Sequence, residues 1–297
     1  QGDARREIID LVGGNEQSEA AVRRGLQWLA EHHHADGRWS LHQLDPPEKG
    51  LPATTGPGSI QSDTAGTGLG LLPFLGSGHT HREGEYQAVV SKALGWLVER
   101  QKPSGDLFAE SPSNAYMYSH GIAAIALCES YGLSQDEKLR DPAQRAIDFI
   151  VSAQHAGTGG WRYRPGEPGD MSVVGWQVMA LKSSEMAGLN VPPAALDAAG
   201  RWLDSAAGRG DALGTFGYQG PGGSPAMTAE GLLCRQFLGS RRSDPQLKAG
   251  AEYLLKHLPQ PGSETSYYWY YATQVMYHMQ GNYWTAWNER LRGLLVE

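Results

Sequence analysis

Five pairs of residues spaced four apart hold the side chains of this 297-residue chain that could do chemistry: Asp63/Thr67, Tyr116/His120, Asp170/Val174, Ala226/Glu230 and Tyr267/Tyr271. On a helix, a spacing of four puts both members on one face. Each pair lies five and one positions before a small residue (Gly68, Gly121, Gly175, Gly231, Ala272), so the five faces read as one level of equivalent helices. Glu230, Asp170 and Asp63 there suit acid or base work, and His120 suits proton carriage. Asp63 and Asp170 equally read as N-caps, where a carboxylate meets the positive end of the helix dipole and stays ionised. Glu230 lies about one turn into its helix inside the apolar string AMTAEGLL. A buried carboxylate needs a partner, here Arg235 or a His, or a shifted pKa, and that makes Glu230 the expected acid.

Aromatic residues crowd the same helices. Tyr116, Tyr118, Trp176, Trp269 and Tyr271, with Gln274, are expected to line a ligand cavity, through tyrosine hydroxyls or through π faces that stabilise a cation. The full run Tyr267 to Tyr271 cannot face one cavity, because consecutive residues point all round a helix. No set of Cys, His and carboxylate has ligand spacing on facing helices, so neither a metal nor another cofactor is expected. His32, His33 and His34, adjacent at a helix end, are expected to be solvated. Cys128 and Cys234 sit in apolar runs and read as buried thiols.

The stretch Gln154 to Gly188 shows what positions these residues. An amphipathic helix ends at Gln154, a Gly157/Gly159/Gly160 elbow breaks it, Trp161 plugs the gap, and Val173 to Met186 runs as a nearly uncharged second helix. The unit recurs. Outer helices align on Trp28, Trp96, Phe149, Trp202 and Tyr253, at spacings of 68, 53, 53 and 51, and the elbows on DGRW, SGDLF, TGGW and LGTF. The expected fold is all-α: one domain over 1–297, an α/α toroid of about five helical hairpins spanning about 20–281, two-faced helices outside and apolar ones inside. Helices at Ala4–Val12 and Trp284–Val296 flank it, and the first repeat carries a Pro/Gly-rich insertion, 41–61, that reads as a lid or a surface excursion.

A formal net charge of −7 without a basic cluster argues against nucleic acid. No apolar run is long enough to span a bilayer, which points to a soluble protein. A start at Gln1 suggests a processed or excised piece.

QHAGTGGW resembles the QW motif of squalene and oxidosqualene cyclases, and HHADGRW and QKPSGDLF resemble weaker copies of it. The repeat region, about Ala20 to Gly281, is similar to the prenyltransferase and squalene-oxidase (squalene–hopene cyclase-like) repeat of the α/α-toroid superfamily, most of all to single-toroid members from planctomycete-type bacteria, through YYWYYATQVM, GDMSVVGWQVMALKS and AMTAEGLLCRQ. The resemblance implies a bacterial toroid with a central cavity for an isoprenoid. It departs from the family at its chemistry. The Asp-x-Asp-Asp acid motif of the cyclases is absent, Cys234 has Leu232 where the prenyltransferase zinc site needs Asp, Tyr270 and Tyr271 stand where its His would be, and the Gly-Cys-Gly-Glu-Gln thioester string is missing. The expectation is therefore a small-molecule or lipid-like ligand, or a glycan or peptide, bound without the family's reaction. The alternative is a toroid enzyme, isoprenoid cyclase or transferase or glycan lyase or hydrolase, that uses the inner-helix carboxylates.

Overall fold

The computed structural model describes residues 9, 11–44, 54, 56, 58–110, 113–262 and 265–296. Most of the expected N-terminal helix, all but Ile9, Leu11 and Val12, and most of the 41–61 insertion lie outside the described residues. Among them the chain forms eleven α-helices, a 3-10 turn and no β-strand. The helices are α1 (Glu16–Glu31), α2 (Asp63–Gly76), α3 (Gln87–Arg100), α4 (Tyr116–Ser134), α5 (Glu137–Ser152), α6 (Met171–Met186), α7 (Pro193–Ala206), α8 (Pro225–Phe237), α9 (Pro245–Leu255), α10 (Ser266–Met279) and α11 (Gly281–Val296). The fold is helical and repetitive, and it divides into two compact units: Leu26–Trp202, and Gln1–Gly25 with Leu203–Glu297.

In the larger unit the apolar helices α2, α4 and α6 pack side by side in chain order, with α3 and α5 against them. Most residues of α4 and α6 are buried, 13 of 19 and 12 of 16, as nearly uncharged helices require. The small residues let the axes close: a β-carbon on Gly68 would overlap Ile122 and the Ala123 amide of α4, and one on Gly121 would overlap Gln177 of α6. In the smaller unit α8 packs on α10 and α9, and α11 closes over α9 and α10. There Trp284 Nε1 donates to the Val12 carbonyl at 2.8 Å, and Asn288 and Arg292 both donate to the Gly13 carbonyl. The segment that leads into α1 is thus held by the last helix.

The elbows are alike atom by atom. Gly37, Gly105, Gly159 and Gly214 all have φ between 77° and 98°, a conformation that a side chain resists. Each lies so close to the next outer helix that a β-carbon would strike its backbone, at Lys92, Arg145, Ala198 and Ala249–Gly250 respectively. The first three contacts fall four residues before the outer aromatics Trp96, Phe149 and Trp202, and the fourth falls at the same register before Tyr253. The elbow tryptophans close the unit backwards: Trp39 Nε1 donates to the Leu29 carbonyl at 2.9 Å and Trp161 Nε1 to the Ile150 carbonyl at 2.8 Å, each just past the outer aromatic of its own repeat. Trp28 differs, being 41% exposed where Trp96 and Trp202 are 4% and 3%.

Two local expectations are corrected. His32 and His34 are buried, not solvated. The C-terminal end of α1 leaves carbonyls in need of donors; the His32 ring bonds the Trp28 carbonyl at 2.7 Å and stacks on the Trp28 ring, and His34 bonds the Gln43 carbonyl at 3.1 Å. The N-cap of α2 is Ser62, whose hydroxyl accepts from the Ala65 amide, and Asp63 is the first helical residue.

The elbow geometry can be tested with two glycines of equal backbone strain. Gly166 also has positive φ (74°), but nothing stands near its α-carbon. Gly166→Ala should cost about 1 kcal/mol, and Gly159→Ala about 3 kcal/mol, because overlap with α7 adds to the strain. Equal losses in urea melts would show that the elbow does not press on the next helix.

Candidate functional site

Polar side chains near the starts of α2, α4 and α8 serve the elbows. In the first repeat the Trp39 amide donates to Thr67 Oγ1 at 3.1 Å, in the second the Leu107 amide donates to His120 Nδ1 at 3.1 Å, and in the fourth the Phe216 amide donates to Thr228 Oγ1 at 3.1 Å. His120 therefore does what a threonine hydroxyl does elsewhere. Its Nε2 donates to the Ala146 carbonyl at 3.0 Å and the ring is fully buried, so both nitrogens are engaged and none is left for a substrate.

Beside it, Asp106 gathers a network that the sequence reading missed. Its carboxylate accepts from Lys102 at 2.6 Å, from the Tyr116 hydroxyl at 2.8 Å and from the Phe108 amide at 2.9 Å, and lies 3.7 Å from His120. Burial opposes its charge, but the hydrogen bonds from Lys102, the Phe108 amide and the Tyr116 hydroxyl outweigh it and hold the carboxyl well below the ordinary Asp range. The Tyr116 hydroxyl is pushed up, by burial first and then by its bond to Asp106. The only sequence signal was an Asp next to an elbow Gly.

Asp170 caps α6 as expected: its Oδ1 accepts from the Val173 amide at 3.1 Å and from the Ser172 hydroxyl at 2.7 Å, and its Oδ2 faces Arg162 at 3.3 Å. The Tyr118 hydroxyl bonds Ser172 in turn, which links α4 to α6 through a fully buried carboxylate. Asp63 pairs with Arg38 at 3.0 Å, and Arg38 also grips Asp36, the acceptor of Trp96 Nε1. Trp176 is 5% exposed in the wall of α6. The candidates of the larger unit thus belong to separate networks, each explained by the fold.

In the smaller unit three candidates converge. Glu230 is fully buried on α8 and accepts a hydrogen bond from the Tyr267 hydroxyl at 2.5 Å, while the Tyr267 and Tyr271 rings meet edge to face at 5.2 Å. Burial, then the neighbouring Glu230, drives the Tyr271 hydroxyl well above its usual range, so this phenol stays protonated. Arg235, the expected partner of Glu230, is bonded to Asp204.

Above this cluster lies an open groove of about 620 Å³. It is bounded by Ser224–Ala226 at the start of α8, Lys256–Gln260 after α9, and Thr265–Trp269 at the start of α10. Ser224 caps α8 by accepting from the Met227 amide, and Tyr268 donates to the His257 carbonyl at 2.9 Å, fixing the third wall. Pro225, Ala226, Leu258, Pro259, Tyr267 and Trp269 give the groove apolar and aromatic surface, and Lys256 gives it a cation. Trp269 lines this groove, whereas Gln274, further along α10, donates to the Tyr270 carbonyl at 3.4 Å. Lys256, Leu258 and Pro259 carry no motif by which sequence reading could find them.

No family model matches the chain, and no curated protein matches it. Among the described residues no group of His, Cys, Asp and Glu is placed to hold a metal ion, and no helix is long and apolar enough to cross a membrane.

Asp106 supplies the pH test. A carboxyl whose pKa is depressed in the folded state contributes stability that is complete above its unfolded value, about 3.9, and is lost as pH falls through the folded value. Asp106→Asn should lower stability by about 2 kcal/mol at neutral pH. The gap from the parent should close as the pH is taken below about 4; a gap independent of pH would show that the charge of Asp106 is irrelevant.

Proposed function

We propose that this protein is a single α/α toroid of the prenyltransferase and squalene-cyclase repeat type, and that it binds an isoprenoid or similar lipid-like ligand in the groove over α8 and α10 without turning it over. The groove carries the reading. Its size is that of an ordinary small-molecule site, and its proline, leucine and aromatic walls suit a hydrocarbon chain. Lys256 and the N-terminal ends of α8 and α10 favour a polar or anionic head at one end. Two features support the toroid: the elbow clasp that repeats four times, and the hydrogen bonds from α11 to Val12 and Gly13, which bring the end of the chain to the start of its first repeat.

Binding is favoured over catalysis by the position of the expected acid. Glu230 has no exposed surface and lies behind Tyr267, whose hydroxyl proton is directed at it. A phenol oxygen in that state offers the ligand acceptor capacity only. A substrate in the groove would meet no free proton donor at this point.

Native mass spectrometry after exposure to a bacterial lipid extract and, separately, to a glycan panel tests this. The parent should retain lipid adducts of unaltered mass, and Trp269→Ala should lose them by about tenfold or more, the aromatic wall being worth at least 1.4 kcal/mol. Selective retention of glycans would overturn the ligand class, and new products accumulating in the lipid mixture would overturn the non-catalytic reading.

A further inference from the structure

A second cavity, of about 360 Å³, lies at the opposite ends of α8 and α10, lined by Gln236, Phe237, Ser240, Arg241, Arg242 and His278. Its charge is out of keeping with an acidic chain. Five arginines, Arg38, Arg82, Arg145, Arg162 and Arg235, pair with aspartates, while others, among them Arg23, Arg24 and Arg140, meet no carboxylate among the described residues. Arg241 and Arg242 are consecutive, and among the described residues neither meets a carboxylate. The carbonyl ends of α8 and α10 work against an anion here, but each contributes only about half a negative charge, and two guanidiniums outweigh them.

Arg242 is also held in place. One of its Nη atoms donates to Gln280 Oε1 at 2.6 Å, which leaves four N–H donors of the fork unassigned to Gln280. Gln280 has φ 60° and ψ −171°, a region almost reserved for glycine, and such strain gathers where a side chain must be positioned. Here the strained residue is the one that orients Arg242. The ring of His278 packs edge-on against Phe237 at 5.8 Å, and burial followed by the charge of Arg242 lowers its pKa, so it adds a ring N–H beside the two cations. Gln236 gives its Nε2 to the Val275 carbonyl at 3.2 Å while its Oε1 has no partner among the described residues, leaving an acceptor for a hydroxyl or a protonated oxygen.

We propose that this cavity binds the phosphate group of a small phosphate monoester, gripped by Arg241 and Arg242 with the Ser240 hydroxyl and His278 beside them, and that Gln280 positions Arg242 for it. Guanidinium forks match tetrahedral oxyanions, and the volume admits a phosphate with a short organic substituent. This site is independent of the groove at the other ends of the helices.

Calorimetric titration of the whole chain at low salt, with inorganic phosphate, with glycerol phosphate, and with phosphatidylcholine vesicles containing or lacking phosphatidic acid, tests the proposal. Both soluble phosphates should bind one per chain. The pair Arg241→Gln/Arg242→Gln, checked for helicity, should weaken them by about tenfold or more, and Lys256→Gln, in the other groove, should not. Gln280→Gly should weaken binding while raising the thermal midpoint, a combination that a purely structural role cannot produce. The proposal fails if neither soluble phosphate binds, if the arginine pair can be replaced without loss, if Lys256→Gln abolishes binding, or if only phosphatidic acid vesicles are bound. Unchanged affinity in Gln280→Gly would remove the positioning role.

Discussion

A missing β-carbon at four elbows is the constraint on which the repeats depend. At Gly37, Gly105, Gly159 and Gly214 the backbone must turn through positive φ and, at the same atom, touch the backbone of the following outer helix. Only glycine meets both demands. Each elbow thereby fixes where the next hairpin sits, and the bulky residue two positions later (Trp39, Leu107, Trp161, Phe216) is set into the gap between helices, where all four are buried. Gly66 and Gly70 against Trp39, and Gly231 against the Phe216 ring, are the matching concessions from the inner helices.

That geometry also accounts for the polar residues near the inner-helix starts. Turning the chain leaves one elbow amide per repeat pointing into the protein, and a buried amide without an acceptor is costly. Thr67, His120 and Thr228 supply the acceptor in three repeats. Carboxylates then secure the surroundings: Asp106 under the second elbow, Asp170 at the cap of α6, and Glu110, which accepts from the amides of Asp63 and Thr64 at the start of α2. Ionisable residues in this layer are thus mostly tied into the scaffold. The pattern relaxes where α8, α9 and α10 open a groove.

Much of this was legible because repetition supplies its own control. Elbow strings and outer aromatics recur at nearly one period, and the helices follow from them; the cap at Asp170 followed from a carboxylate before an apolar run. Less was legible where two residues compete for one role. Ser62 and Asp63 are both good caps, and only the backbone direction decides between them. His32 and His34 read as solvated because their partners are carbonyls, which no side-chain pattern announces. His120 looked chemical because its residue type is rare in a core, whereas the threonine at the equivalent place in the first repeat discloses its duty once the hydrogen bonds are compared. Lys256 and the proline-rich wall after α9 could not be found at all, since a cavity comes from the spacing of elements and not from the identity of any one of them.

The first elbow has one more consequence, in the length of chain it must close. From Gly37 to the backbone it touches at Lys92 is 55 positions, against 40 from Gly105 to Arg145, the excess being the insertion between the first elbow and α2. The entropy of closing a flexible loop grows only with the logarithm of its length, so the longer excursion costs about 0.3 kcal/mol more than the shorter one. A repeat architecture whose registration depends on a single atomic contact per unit can therefore lengthen one connection considerably with little loss of stability, and this is the place in the chain where new sequence can be accommodated without altering any helix.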